Sequence, residues 1–171
     1  MRRYFDKIGN LVKILFFAKW VFILPTQKKI LVVDGMINPF SKYFKKKDIN
    51  ILYRRGEELN ISIVFLCLVN FELSILGYYK KYIQFAKPKI ILTAYDQYPS
   101  FYYLSKLTEI KTAFIQTGKR SLFDGAFSLK EFKEEMKSKK KNKKFFVDYM
   151  FVHNKHVAKI YNSFIEGKIV E

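Results

Sequence analysis

Short apolar runs, rich in β-branched residues, recur along the chain, each followed by a polar loop and a longer mixed segment. The runs are Lys29-Ile30-Leu31-Val32-Val33-Asp34, Ile49-Asn50-Ile51-Leu52-Tyr53, Ile61-Ser62-Ile63-Val64-Phe65-Leu66, Lys89-Ile90-Ile91-Leu92-Thr93-Ala94, Lys111-Thr112-Ala113-Phe114-Ile115-Gln116 and Phe146-Val147-Asp148-Tyr149-Met150-Phe151-Val152. Most are near-continuous, the pattern of strands buried on both faces. Between them, residues 71–86 place Leu73, Leu76, Tyr79, Ile83 and Phe85 at helical spacing before a stop at Pro88. A helix begins near Pro99, residues 128–137 open with Ser128 and Glu131 as a capping box, and residues 154–165 open with Asn154 as a cap. Strand alternating with helix predicts an α/β fold with a Rossmann-like, doubly wound, mostly parallel sheet.

The most apolar stretch lies ahead of this body, at residues 11–24, where Lys13 and Lys19 interrupt it. It is too short for a membrane span, and no small-residue cleavage site precedes Pro25, which argues against export. At about 100° per residue, Leu11, Ile14, Leu15, Phe17, Ala18, Val21 and Phe22 share one arc, flanked by Lys13 and Lys19 with Trp20 opposite. An amphipathic helix is therefore expected. With Arg2, Arg3 and Lys7 it suits an anionic bilayer surface, and packing on its own domain is the other reading. The chain divides into a basic amphipathic segment, residues 1–27, and a Rossmann-like domain, residues 28–171.

The length of 171 residues suits one domain, and 50% hydrophobic residues exclude a disordered chain. Lys and Arg outnumber Asp and Glu by 32 to 15, a net charge of +17 that draws the chain toward phosphates, anionic lipid or nucleic acid. Part of that excess is discounted, because only five of the basic residues are Arg and the wealth of Ile, Phe, Tyr and Asn is what AT-rich coding produces. Cys67 is the lone cysteine and reads as a small buried hydrophobe, in keeping with a reducing cytoplasm. The run Lys137–Lys144 reads as a solvated loop, with phosphate or lipid contact as the minority reading.

No dinucleotide fingerprint, phosphate-binding loop, nucleophile elbow or zinc spacing is present. His153 and His156 lack a thiol or carboxylate nearby, so no metal is expected. What stands out is polar residues just past the predicted strands: Arg54, Arg55, Gly56, Glu57 and Asn60; Tyr95, Asp96 and Gln97; Gln116, Gly118, Lys119 and Arg120; His153 and Asn154. In a parallel sheet such loops share the ligand-binding edge. Gly118 frees backbone N–H groups to face an oxygen, while Lys119 and Arg120 pair with phosphate. Asp96 is a candidate base and His153 a weaker proton carrier. Each has a plainer role as well: Asp96 capping the helix near Pro99, Glu57 pairing with Arg55, Gln116 satisfying backbone, His153 as a hydrogen-bonded structural histidine.

The succession Lys29–Asp34, Arg55-Gly56-Glu57-x-Leu59-Asn60, Lys87-Pro88-Lys89-Ile90-Ile91-Leu92-Thr93-x-Tyr95-Asp96, Ile115-Gln116-x-Gly118-x-Arg120 and Phe146–Val152 resembles bacterial surface carbohydrate biosynthesis proteins, O-antigen or capsule glycosyltransferases with a GT-B-like architecture. The resemblance covers residues 28–171. It implies an amino-terminal, acceptor-side half, with a second half holding the nucleotide-sugar donor. The sequence runs out at Lys168-Ile169-Val170-Glu171, where a following strand would only be starting, so a separate donor-binding half is expected and the chain alone should be inactive. Under the resemblance, Arg55, Glu57, Asn60, Gln116, Gly118, Lys119 and Arg120 bind substrate, Asp96 is the base, and no cofactor is held by this half. The acceptor is a lipid-linked glycan for polysaccharide or lipopolysaccharide, and the location is cytoplasmic, peripheral on the inner membrane. Two alternatives remain: a non-catalytic basic module for anionic lipid or RNA, and a glycerol-phosphate-type transferase half. Nucleic acid is disfavoured because Tyr98, Phe101, Tyr102 and Tyr103 read better as a packed helix than as an exposed stack.

Overall fold

The computed structural model describes residues 16–34, 39–53, 56–95, 98–116, 145–153 and 155–170. Its centre is a six-stranded sheet in the order β3-β2-β5-β6-β7-β8, every neighbouring pair parallel. The strands are β2 (Ile30–Val33), β3 (Ile49–Leu52), β5 (Ile90–Thr93), β6 (Lys111–Ile115), β7 (Phe145–Phe151) and β8 (Ile165–Val170), and a two-stranded ribbon joins β1 (Lys19–Val21) to β4 (Glu58–Asn60). All four residues of β2 are buried, as a strand with neighbours on both edges and cover on both faces requires.

Alternate residues of the strands feed two cores. Leu31, Val33, Ile91, Phe114 and Ile165 face helices α1 (Ile61–Val69), α2 (Ile75–Ala86), α3 (Pro99–Leu107) and α4 (Lys155–Asn162), while Ile30, Val32, Leu92 and Ala113 pack on the opposite face with Phe40. Aromatic rings fill the helical side, with Tyr102 stacked on Phe145 at 4.8 Å and Phe114 against Tyr161 at 5.2 Å. In β7 the inward positions pass from Phe145 and Val147 to Met150 and Val152, a slip of one residue. A bulge between Phe146 and Tyr149 causes it, setting Val147 and Asp148 against the single residue Gly167 of β8.

Four expectations are corrected. Ile61–Leu66 is the start of helix α1 and not a strand: the Asn60 side chain accepts the Ile63 N–H at 3.1 Å, and Ile63 and Cys67, four apart, bury one face. Local capping outweighs the β-branched composition. The amphipathic helix over residues 11–24 does not extend through its second half, because Lys19–Val21 is extended and pairs in parallel with Glu58–Asn60; residues 11–15 lie outside the described residues. The Lys19 ammonium also meets Glu58 at 3.2 Å. The strand expected to be starting at Lys168 is the full strand β8, hydrogen-bonded along β7. Finally, helix α2 starts later than residue 71, at Ile75, where the Ser74 hydroxyl accepts the Gly77 N–H. The helix over 128–137, the cap Asn154 and the Lys137–Lys144 run lie outside the described residues.

Helix α1 ends in a Schellman turn. Phe71 N–H donates to Leu68 O at 3.1 Å and Glu72 N–H to Cys67 O at 2.9 Å, with Phe71 itself left-handed at φ 55°. Glycine usually fills that position; a phenylalanine there costs roughly 1 kcal/mol of backbone strain.

Candidate functional site

Because the strands of the central sheet run in parallel, the residues after them share one edge: Asp34 after β2, Tyr53 after β3, Ala94 and Tyr95 after β5, Gln116 after β6, and Val152 and His153 after β7. From β2 the chain first goes outward to β3 and then returns to β5 on the other side. The winding reverses between β2 and β5, and in open α/β sheets the ligand crevice opens at that reversal.

Asp34 stands there. It is buried, its backbone is left-handed at φ 66°, and its N–H donates to Leu52 O at 3.0 Å, turning the chain off the end of β2. Aspartate tolerates this conformation better than most residues. Across the reversal, Thr93 is in register with Val33 and donates its hydroxyl to Val33 O at 3.1 Å, while the same Thr93 Oγ1 accepts the Tyr95 N–H at 3.0 Å. One threonine thereby fixes the distance between the two strand ends and the exit of the following loop. That loop is also held at its far end, where the Tyr98 and Tyr79 hydroxyls lie 2.7 Å apart in the core. A carboxylate at such a rigid crevice can accept hydrogen bonds from ligand hydroxyls or take a proton from one.

The residues expected from sequence divide into three groups. Gln116 and His153 are brought together: the Gln116 N–H donates to Phe151 O at 2.9 Å, and its Oε1 accepts the His153 N–H at 3.2 Å. Gln116 is buried and clips the ends of β6 and β7, the backbone role weighed for it, while the His153 side chain is exposed on the edge. Glu57 and Asn60 are not at this edge; they belong to the side ribbon. Asn60 caps α1, donates from Nδ2 to Ile23 O at 2.7 Å and donates its own N–H to the Tyr78 hydroxyl at 3.0 Å, so it serves as a joint of the fold. The Glu57 side chain is exposed, and its carbonyl accepts the Lys19 N–H at 2.9 Å. Arg55, Asp96, Gly118, Lys119 and Arg120 lie outside the described residues.

Past the end of β3, between the side ribbon and helices α1 and α2, an apolar cavity of about 380 Å³ is lined by Tyr53, Leu59, Cys67, Leu73, Tyr78 and Tyr79. Gly56, at φ 80°, turns the chain around its rim. Burial pushes the Cys67 thiol above its ordinary value, Glu72 adds to this and Lys81 opposes it, so the cavity presents a neutral thiol at physiological pH. Burial likewise raises the Tyr78 hydroxyl, against the hydrogen bond from Asn60.

Among the described residues no three His, Cys, Asp or Glu converge as metal ligands, and no helix is long and apolar enough to cross a membrane. Tyr98, Phe101 and Tyr102 are core residues and present no stacking surface. No protein-family model, curated protein or solved structure matches the chain.

Proposed function

We propose that this chain is the acceptor-side domain of a GT-B-like glycosyltransferase of surface polysaccharide synthesis, working at a membrane surface on a lipid-linked glycan. The observation that carries the reading is the winding reversal between β2 and β5, with Asp34 and Thr93 at its mouth, together with an apolar cavity past the end of the neighbouring strand β3. A glycan acceptor offers hydroxyls to the first and a lipid stem to the second.

In the reaction, an acceptor hydroxyl attacks the anomeric carbon of a nucleotide sugar. The bond from that carbon to phosphate breaks, the nucleoside diphosphate leaves with the electron pair, and the hydroxyl proton passes to a base. Asp96, which follows Tyr95 in sequence, is the candidate base, while Lys119 and Arg120, following Gln116, pair with the phosphate of the acceptor. Asp34 orients acceptor hydroxyls. The nucleotide sugar is the donor substrate of the full enzyme and is held by a separate half.

Calorimetric titration with a short-chain, water-soluble lipid-pyrophosphate-linked sugar tests the reading. The expected result is saturable binding, weakened about ten- to hundredfold by Asp34→Asn, since one charge-assisted hydrogen bond is worth roughly 1.5–3 kcal/mol. Asparagine keeps the side-chain shape and its tolerance of a left-handed backbone, so the thermal midpoint should hold. Transfer from a nucleotide sugar by the chain alone, or absence of acceptor binding, would overturn it.

A further inference from the structure

Between Leu59 and Phe71 the sequence has no charged residue, in a chain of net charge +17. Helix α1 occupies most of that stretch, and only one of its faces is covered. Ile63 and Cys67 enter the core, while Phe65, Leu68 and Val69 are exposed on the outer side. The apolar surface then continues through the turn, with Phe71 89% exposed, Leu73 70% and Ile75 64%. Six large apolar side chains within eleven residues make a patch of a kind that soluble monomers rarely leave bare.

Two further observations bear on what meets it. Phe71 holds the left-handed position of the Schellman turn, where glycine is the unstrained choice, and it directs an aromatic ring outward from there. The N-terminal segment also extends the surface. The Ser62 hydroxyl donates to Phe22 O and Asn60 Nδ2 to Ile23 O, which sets the exposed Phe22 and Ile23 beside the start of α1. Charge then selects the occupant. A second copy would bring +17 against +17, whereas anionic headgroups are complementary to the excess around this aromatic-tipped patch, within which Glu72 is paired with Lys80 at 3.3 Å and Lys81 at 3.8 Å.

We propose that the outer face of α1, with the turn through Phe71 and Leu73, is the surface on which this protein lies in an anionic bilayer, the two side chains reaching the acyl boundary. The proposal rests on the membrane-side part of the reading above. It moves the contact from an N-terminal helix to α1 and puts the mouth of the apolar cavity, at Leu68 and Leu73, against the lipid.

The test is co-sedimentation of the full chain with vesicles of equal parts phosphatidylglycerol and phosphatidylcholine, beside pure phosphatidylcholine vesicles. Binding is expected on the anionic vesicles, weakened by salt. Phe71→Gly should lower the partition coefficient by about tenfold while leaving the thermal midpoint equal to or above that of the parent, because it relieves the left-handed strain. Leu73→Ser should do the same to binding, and Leu107→Ser, exposed at the far end of α3, should leave binding unchanged. Failure of the parent chain to bind, or undiminished binding by both patch variants, would overturn the proposal. So would a dimer in light scattering that Phe71→Gly dissolves, since the face would then belong to a second copy. Lost acceptor titration with vesicle binding intact would sink the transferase reading alone.

Discussion

Two residues at the join of β6, β7 and β8 carry more of the fold than their types suggest. Gly167 faces the Val147 carbonyl across the bulge so closely that a β-carbon would collide with backbone. Gly167→Ala should therefore cost roughly 1–3 kcal/mol in chemical denaturation, as overpacking against an immovable neighbour does. Asp148, on the same bulge, accepts from the Lys111 ammonium at 2.8 Å, the Thr112 N–H at 2.8 Å and the Thr112 hydroxyl at 3.1 Å. Burial pushes its carboxyl up, but these donors outweigh burial and hold it below the ordinary 3.8. The unfolded chain thus takes up the proton first. The stabilisation is whole above about 3.8 and is lost as pH falls from there through the folded value. Asp148→Asn should flatten that acid limb in urea midpoints measured from pH 6 down to 2.5. In sequence Asp148 is one polar residue inside an apolar run, and nothing local distinguishes it from a solvent-facing position. Its role comes from Thr112 on the neighbouring strand.

Helix ends decide which segments become which elements. Ser74→Ala, which removes the acceptor for the Gly77 N–H, should cost about 1 kcal/mol in thermal or urea unfolding. The strands β2, β3, β5, β6 and β7 were legible because burial on both faces leaves near-continuous apolar runs. The same rule misread Ile61–Leu66, since a short β-branched run has no period of its own. The deciding signals were Asn60 at one end and Asn70 at the other, flanking nine residues that suit a two-turn helix. Lys19–Val21 escaped notice for the opposite reason. Three residues carry too little pattern, and their partner Glu58–Asn60 is distant in sequence.

For the whole molecule, alternation of strand and helix predicted the parallel sheet, but not its order. The reversal between β2 and β5 exists only once Val33 lies beside Thr93, so Asp34, the last polar residue of an apolar run, was not singled out as a site residue. The place of Gln116 and His153 at the sheet edge was legible because lying just past a strand is a local property, and parallel strands bring such places to one edge. Glu57 and Asn60 share that local property but pass into the side ribbon, which topology alone decides. The absence of charge over residues 60–70 was equally visible, but the half-covered helix it belongs to was not, because the segment read as a strand.

The strand order also sets a timetable for synthesis. β2 leaves the ribosome among the first strands of the sheet and finds β3 soon after, but its other flank waits for β5, with α1 and α2 made in the interval. During that wait the nascent chain carries an open strand edge together with an apolar helix face that even the finished fold leaves bare. A chain stalled near the end of α2 is thus the form most in need of a chaperone, and the emergence of Ile90–Thr93 closes the gap.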